Sequence, residues 1–551
     1  MGERLMGIET EYAISALYPD SVAYDRSELV GKLLGLARDE LINLPDVCGG
    51  IYLENGARFY LDYGNHPELT TPECTDPWDI VRYVLAGERI LSSLVRNLAR
   101  NLGIEVMVFK SNVDYSTRWA TWGCHESYMH QASPSALSDQ IIPHLVTRII
   151  YTGAGGFNSQ SSGLEFTLSP RVPHLASVVS NNSTSDRGIF HTKDESLAGP
   201  GFHRLHLICG ESLCSETAMW LKVATTMLVV AMAEAGLRPG GQVGLRSPLA
   251  AMKTIASDPS CSALVETTRG RGLSALEIQY HYLTQAERHL GDSRMPAWAE
   301  DVCLKWREIL NSLLEAPESV AANLDWGIKR KLYASYAESR GIKWEWLPEW
   351  NRALRDVRLA LDETAEGDFQ LTPDLIRHKL VSPDWATARL SGFLERNGLG
   401  SDGLDILFKL RQELLEIDMR FGQLGGTGVF TGLDRAGVLS HHVPGVERID
   451  EAITTPPAIA RARIRGEVIR RLAAQDGDYY CDWQGILDLG AKRLLDLSGP
   501  FESVERWVGY EQAGSNWPHA FAALAMSLEG SQFLDSNRNP LMIRRTVCDC
   551  R

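Results

Sequence analysis

Two carboxylates, Glu9 and Glu11, stand inside the β-forming stretch "MGIETEY". Side chains in a strand alternate between faces, so Ile8, Thr10 and Tyr12 point one way and the two glutamates the other. A polar sheet face exposed to water explains the pair in one way. A divalent cation explains it in another, because hard cations take carboxylate oxygens. The same one-sided pattern recurs. In "NGARFYLDYGNHPE", Phe59, Leu61 and Tyr63 share one face while Arg58, Tyr60 and Asp62 share the other, and His66, Glu68 and Glu73 follow. "GCHESY" adds His125 and Glu126, and "RLHLICGESLCSET" adds Arg204, His206 and Glu216, with Arg187 just upstream. Carboxylates and imidazoles beside arginines fit a site that handles Mg-bound triphosphate: cations neutralise phosphate charge, and Arg58, Arg187 and Arg204 can clamp phosphate oxygens.

These side chains need elements to hold them. Asn55-Gly56 is a hairpin signal between two β-forming runs. Asp76 and Gly103 read as the N-cap and stop of a helix over 77–102, followed by a strand over 104–109. A strand centred on His206 leads into a helix over about 215–235 that ends at Gly236. Residues 270–420 are expected to be mainly helical, with Trp306, Ile309, Leu310, Leu313 and Leu314 at core spacing. "QLGGTGVFTGLD" (423–434) lacks the Lys-Ser/Thr of a phosphate loop and reads as a flexible connection. The basic stretch "PPAIARARIRGEVIRRL" (456–472) precedes an aromatic "YYCDW", which places a domain boundary near 475, dividing 1–475 from 476–551.

The chain has 551 residues, enough for more than one core, and no low-complexity tract. Seventy acidic against fifty-five basic residues give a formal charge of −15, which disfavours nonspecific nucleic-acid binding. The apolar run 223–233 is too short to span a bilayer, and no apolar segment follows the N-terminal charges, so no membrane partner and a cytoplasmic location are expected. Ten scattered cysteines fit reduced thiols. Cys548 and Cys550 lack a second Cys/His pair and read as exposed thiols rather than a zinc site.

The motifs "MGIETEY", "NGARFYLDYGNHPE", "GCHESY", "RLHLICGESLCSETAMWLKV", "LDWGIKRKL" and "PPAIARARIRG" occur in order along 6–505. Together they resemble the Pup ligase and depupylase family, relatives of glutamine synthetase and other carboxylate-amine ligases. The resemblance implies an α+β fold: a glutamine synthetase-like large domain with a curved, mainly antiparallel sheet packed by helices, and a small C-terminal α/β domain. It implies ATP and Mg2+ as cofactors. Glu9, Tyr60 and Glu68 match positions around one Mg ion, and Glu11, His125 and His206 match positions around another. Asp62 matches the central catalytic aspartate. Arg204 and Arg187 match arginines near the phosphates, with Arg204 also expected at the transferred group, and Arg461 and Arg465 match the basic segment near the nucleotide. Trp483 offers a ring that can stack on adenine, against the competing reading of a buried core tryptophan.

The implied reaction phosphorylates a carboxylate, the C-terminal Glu side chain of a Pup-like protein, and joins it to a lysine of a target protein. The alternatives are a depupylase or deamidase using the same aspartate, and a ligase for a small carboxylic acid and an amine. The short interval 13–52 leaves little room for the insertion expected of a depupylase, which favours the ligase. Within "HTKDESLAG" (191–199), Lys193 stands where the family carries an arginine, and a lysine does not replace bidentate contacts.

Overall fold

The computed structural model describes residues 4–509 apart from 18–23, 63, 118, 183–184, 193–197, 200, 363–370, 381–384 and 401. Lys193, Cys548 and Cys550 lie outside the described residues, as does Tyr63.

The chain begins with β1 (Met6–Glu11), β2 (Ala13–Leu17), α1 (Arg26–Glu40), β3 (Asn43–Pro45), β4 (Ile51–Leu53), β5 (Arg58–Leu61) and β6 (Pro67–Thr70). It continues through α2 (Pro77–Leu102), β7 (Glu105–Phe109), β8 (Cys124–His130), α3 (Pro134–Thr147) and α4 (Ile149–Thr152). After the short ladder of β9 (Gly156–Phe157) and β10 (Phe166–Thr167) come β11 (Ser177–Ser180), β12 (Gly188–His191), β13 (His203–Leu207) and α5 (Glu216–Glu234). Nine of these strands form one sheet in the order β11-β12-β13-β8-β1-β6-β5-β4-β3. Its pairs are antiparallel except β11 with β12.

Strand alternation gives this sheet one apolar face. Met6, Ile8, Tyr128, Leu205 and Leu207 pack there with α2, α3 and α5 in the largest core. Helix α2 is framed as its sequence implies: the Asp76 side chain accepts from the Asp79 N–H, Pro77 opens the helix, and Gly103 closes it at φ 66°. Gly103 carries no Cβ penalty in that conformation. Helix α5 is capped by Ser215 and is buried along almost its whole length. It is apolar and long enough to cross a membrane by composition, but here it is a core helix.

The hairpin at Asn55-Gly56 closes with three loop residues rather than two: Leu53 N–H donates to Ala57 O at 2.8 Å, and Gly56 N–H to Leu53 O at 2.8 Å. The buried Asn55 amide donates to Ala452 O at 2.9 Å, which ties the turn to a distant segment.

A mainly helical stretch follows: α6 (Pro248–Ala256), the β14 (Leu264–Glu266) and β15 (Gly272–Ser274) ladder, α7 (Ala275–Arg288), α8 (Ala299–Glu315) and α9 (Asp325–Ser339). Then come α10 (Leu347–Asp362), α11 (Pro373–Leu380), α12 (Trp385–Arg396) and α13 (Gly403–Phe421). Trp306, Ile309, Leu310 and Leu313 are core residues, whereas Leu314 is exposed, one position outside the apolar stripe of α8. The connection expected over 423–434 is in part helical, because Val429–Arg435 forms α14 after Gly428. Short α15 (Ile449–Ala452) and the basic α16 (Ala460–Leu472) follow.

The last described strands, β16 (Tyr479–Asp482), β17 (Gly485–Asp488), β18 (Arg493–Asp496) and β19 (Trp507–Gly509), form an antiparallel meander. Its helical layer is α16. Ile464, Val468, Ile469 and Leu472 pack against Cys481, Ile486, Leu495 and Leu497, and also against Leu44 and Tyr52 of the large sheet. One apolar cluster therefore joins the meander to the sheet's β3–β4 edge.

Candidate active site

Register assembles the polar face. Glu11 lies opposite Glu68, and Glu9 opposite both Thr70 and His125. Tyr60 lies opposite Glu68, and His206 opposite Ser127 and His191. Directly paired residues and residues two apart share a face. Arg58, Tyr60, Glu68, Glu9, Glu11, His125, Ser127, Arg204 and His206 therefore form one polar patch across five adjacent strands, opposite the helix-packed side.

At its centre, Glu9, His125 and His206 bring ligand atoms within 4.8 Å of one another. His125 bridges the two glutamates, its Nδ1 3.4 Å from Glu9 and its Nε2 3.8 Å from Glu11. Arg204 donates to Glu9 at 3.0 Å, to the Ser127 hydroxyl at 3.1 Å and to His206 Nδ1 at 3.0 Å. Burial alone would push the Glu9 carboxyl up, but the His125 hydrogen bond and the field of Arg204 outweigh it and hold Glu9 well below the usual range. Glu68 goes the opposite way: burial, then repulsion from Glu9 and Glu11, raises it well above the usual range. Burial, reinforced by Arg204, keeps His206 neutral. A neutral imidazole among acids crowded enough to hold a proton is a donor set suited to a cation. The grouping differs from the sequence expectation in one respect. His125 and His206 gather around Glu9, while Glu11 gathers with Asp62 and His66. Tyr60 and Glu68 remain hydrogen-bonded to each other beside both groups.

Asp62 sits just beyond β5, in the turn to β6. Its Oδ1 accepts the His66 N–H at 2.6 Å, and its Oδ2 lies 3.0 Å from His66 Nδ1. His66 Nδ1 is also 3.8 Å from Glu11. The backbone of Gly123 donates to Glu11 at 2.7 Å and orients it. Asp62 is thereby fixed at the edge of the cation-suited patch with its carboxylate partly exposed.

A cleft opens over the other end of the patch, lined by Glu9, Thr70, Ser127, Met129, Arg204, Glu73, Arg461 and Trp483 among others. Arg461 donates to Glu73 at 2.6 Å, and Arg465 pairs with the same carboxylate from a fully buried position. Burial raises Glu73, but the two arginines outweigh it and hold the carboxyl at about 2. Two guanidiniums on one carboxylate leave a net positive charge beside the cleft. Trp483 is half-buried: Arg465 stacks on its ring 4.7 Å from the centroid, and Tyr52 meets it edge-on at 5.2 Å. Thus it is both a packing residue and part of the cleft wall.

Arg187 has no direct carboxylate contact among the described residues, and burial together with nearby Arg171 lowers its pKa. That arrangement leaves its donors for an anion. Arg58 is held by Asp46 at 2.7 Å and lies 4.0 Å over the Tyr60 ring, so its guanidinium supports Tyr60. Two acids from the initial pattern lie elsewhere. Glu126 points to the apolar side, where Arg148 grips it at 2.6 and 2.9 Å and Tyr128 donates at 2.6 Å. Glu216 opens α5, away from the patch. Ser127 and Asp46 are missing from the sequence expectation. Ser127 stands two residues after His125 on the same face, a period-2 signal that could have found it; Asp46 lies in a loop and carried no signal.

The chain matches the family model described as Pup-ligase protein over residues 4–360 and 384–487. It is 31% identical to the Pup–protein ligase of Mycobacterium avium (strain 104) over 526 residues, covering 92% of this chain and 98% of that one. It is 30% identical to the Pup–protein ligase of Mycolicibacterium smegmatis (strain ATCC 700084 / mc(2)155) over the same shares. Its fold is similar to the ligase PafA solved in complex with the prokaryotic ubiquitin-like protein Pup, with a TM-score of 0.69, 24% identity and coverage of 91% of this chain and 90% of that one. PafA solved in complex with ADP gives a TM-score of 0.62 at 23% identity, covering 87% of this chain and 92% of that one.

Proposed function

The chain belongs to the Pup-ligase protein family, and from that premise we propose that it is an ATP-dependent ligase joining the C-terminal Glu side chain of Pup to lysines of target proteins. The observation that carries this reading is the single polar sheet face on which acids and imidazoles, the Arg204 network and Asp62 lie side by side with the arginine-lined cleft.

A carboxylate is a poor acyl donor. The tag's carboxylate attacks the γ-phosphorus of ATP, ADP leaves, and the acyl phosphate that results is attacked by the lysine amine with loss of phosphate. Arg204 and Arg187 hold phosphoryl oxygens as charge moves onto ADP. Arg461 and Trp483 line the nucleotide's cleft, and the buried Arg465 backs the Trp483 ring. Asp62, fixed by His66, takes the proton from the attacking amine. Glu9, Glu68, Tyr60, Glu11, His125 and His206 would hold Mg2+, which neutralises phosphate charge when bound. The hydrolase alternative is not favoured, because the matched relatives are ligases. No disulfide joins the eight described cysteines, in keeping with the reducing cytoplasm we propose as its location.

The test is ADP release from Mg-ATP with and without a Pup peptide ending in Glu. Stimulation by the peptide is expected. Asp62→Asn should lower conjugate formation by about 10²–10⁴-fold while ADP still binds. Absence of peptide stimulation in a protein that binds ATP would remove the Pup assignment.

A further inference from the structure

A second cavity, of about 750 Å³, shares no lining residue with the cleft. It lies between α2, the start of α5 and the segment from Phe421 to Ile453. Within it, Glu216, His441 and His442 bring ligand atoms within 4.8 Å of one another. Asp434, at the end of α14, completes the group. Nε2 of His441 and Nε2 of His442 each lie 3.2 Å from the same Asp434 oxygen. Two bonds of about 2.0–2.1 Å at a tetrahedral angle separate their donor atoms by about 3.3 Å. Each nitrogen therefore stands near tetrahedral ligand spacing from that oxygen.

The surrounding bonds favour that use. His442 Nδ1 lies 2.9 Å from Glu216 Oε1, and the other Glu216 oxygen accepts the Val443 N–H at 2.9 Å. A carboxylate fixed by backbone and paired with one imidazole nitrogen sets the tautomer that leaves the other nitrogen free to ligate. His441 is buried, and its Nε2 is turned towards Asp434. Its Nδ1 accepts the Glu216 N–H at 3.3 Å, so ligation through Nε2 moves the ring proton to Nδ1 and gives up that long contact.

We propose that Asp434, His441 and His442 bind a borderline divalent cation of the Zn2+ class, with Glu216 orienting His442 and the fourth position open to the cavity. Two imidazoles select such a cation over Mg2+. The ion would tie Asp434 of α14 to the segment that follows it, which Glu216 holds against the first turn of α5. This proposal stands independently of the ligase reading.

The full-length protein, stripped with chelator and then saturated with Mg-ADP to occupy the other cluster, is titrated with Co2+ alone. The expected result is about one equivalent of Co2+ with the visible absorption of a tetrahedral site, retained in His125→Gln and lost in His442→Gln. Glu216→Gln should weaken binding by about 10–100-fold. His442 is well exposed, and unchanged circular dichroism of its variant would establish that loss of binding is not loss of fold. Absence of a tetrahedral spectrum, or one lost in His125→Gln and kept in His442→Gln, would overturn the assignment.

Discussion

Asp62 and Glu73 show how neighbours give the same carboxylate group different tasks. Asp62 is held by His66 at 3.0 Å and faces the polar patch, where a base can meet an incoming amine. Glu73 is clamped by two arginines and is held at about 2. A carboxyl whose folded pKa lies below its unfolded value stabilises the fold fully above the unfolded value, near 4.5, and loses that contribution as pH falls through about 2. Urea unfolding midpoints should therefore drop between about pH 5 and about pH 3, and Glu73→Gln should flatten that drop. The same variant leaves Arg461 and Arg465 buried without their anion, at a cost of about 3–5 kcal/mol at neutral pH. Equal acid sensitivity in both proteins would show that Glu73 is not a principal acid-sensitive contact.

At the scale of elements, the turn around Gly56 joins the polar sheet to α16. Gly56 has φ +82°, and a Cβ there would stand 3.1 Å from Ala462 O and 3.3 Å from Pro72 Cβ. Gly56→Ala should cost about 1–2 kcal/mol in backbone strain, with more from these contacts. Because α16 carries Arg461 and Arg465, ADP affinity should fall together with thermal stability; calorimetry and a melt on the same sample would check both. An unchanged ADP affinity in a destabilised variant would separate the hairpin from the nucleotide cleft. Elements with strong local signals were legible in the sequence: α2 between Asp76 and Gly103, α5 after Ser215, and the alternation that separates Glu9 and Glu11 from Ile8 and Thr10. Long-range partners were not. Strand alternation places His125 on a face but does not state that Glu9 lies opposite it, and residue type alone set Glu126 beside His125 although alternation turns Glu126 to the other face, where it meets Arg148 in the core. Helix α14 was obscured by the glycines before it, and the union of α16 with the meander depends on contacts across hundreds of residues.

At the scale of the whole molecule, a large antiparallel sheet supplies the ligating face, helices cover its other side, and the α16–meander unit walls the cleft from the β3–β4 edge. This division puts cation-suited residues on the sheet, Asp62 in the turn between β5 and β6, and the cleft residues Arg461 and Trp483 on the added unit. The central claim is isopeptide ligation, and it is tested most directly by intact-mass analysis of a lysine-bearing acceptor incubated with the protein, Mg-ATP and Pup ending in Glu. The expected product is an acceptor heavier by one Pup less one water, formed with ATP and absent without it. No conjugate with ATP present, together with release of free Pup from a preformed conjugate, would contradict it and make the protein a hydrolase.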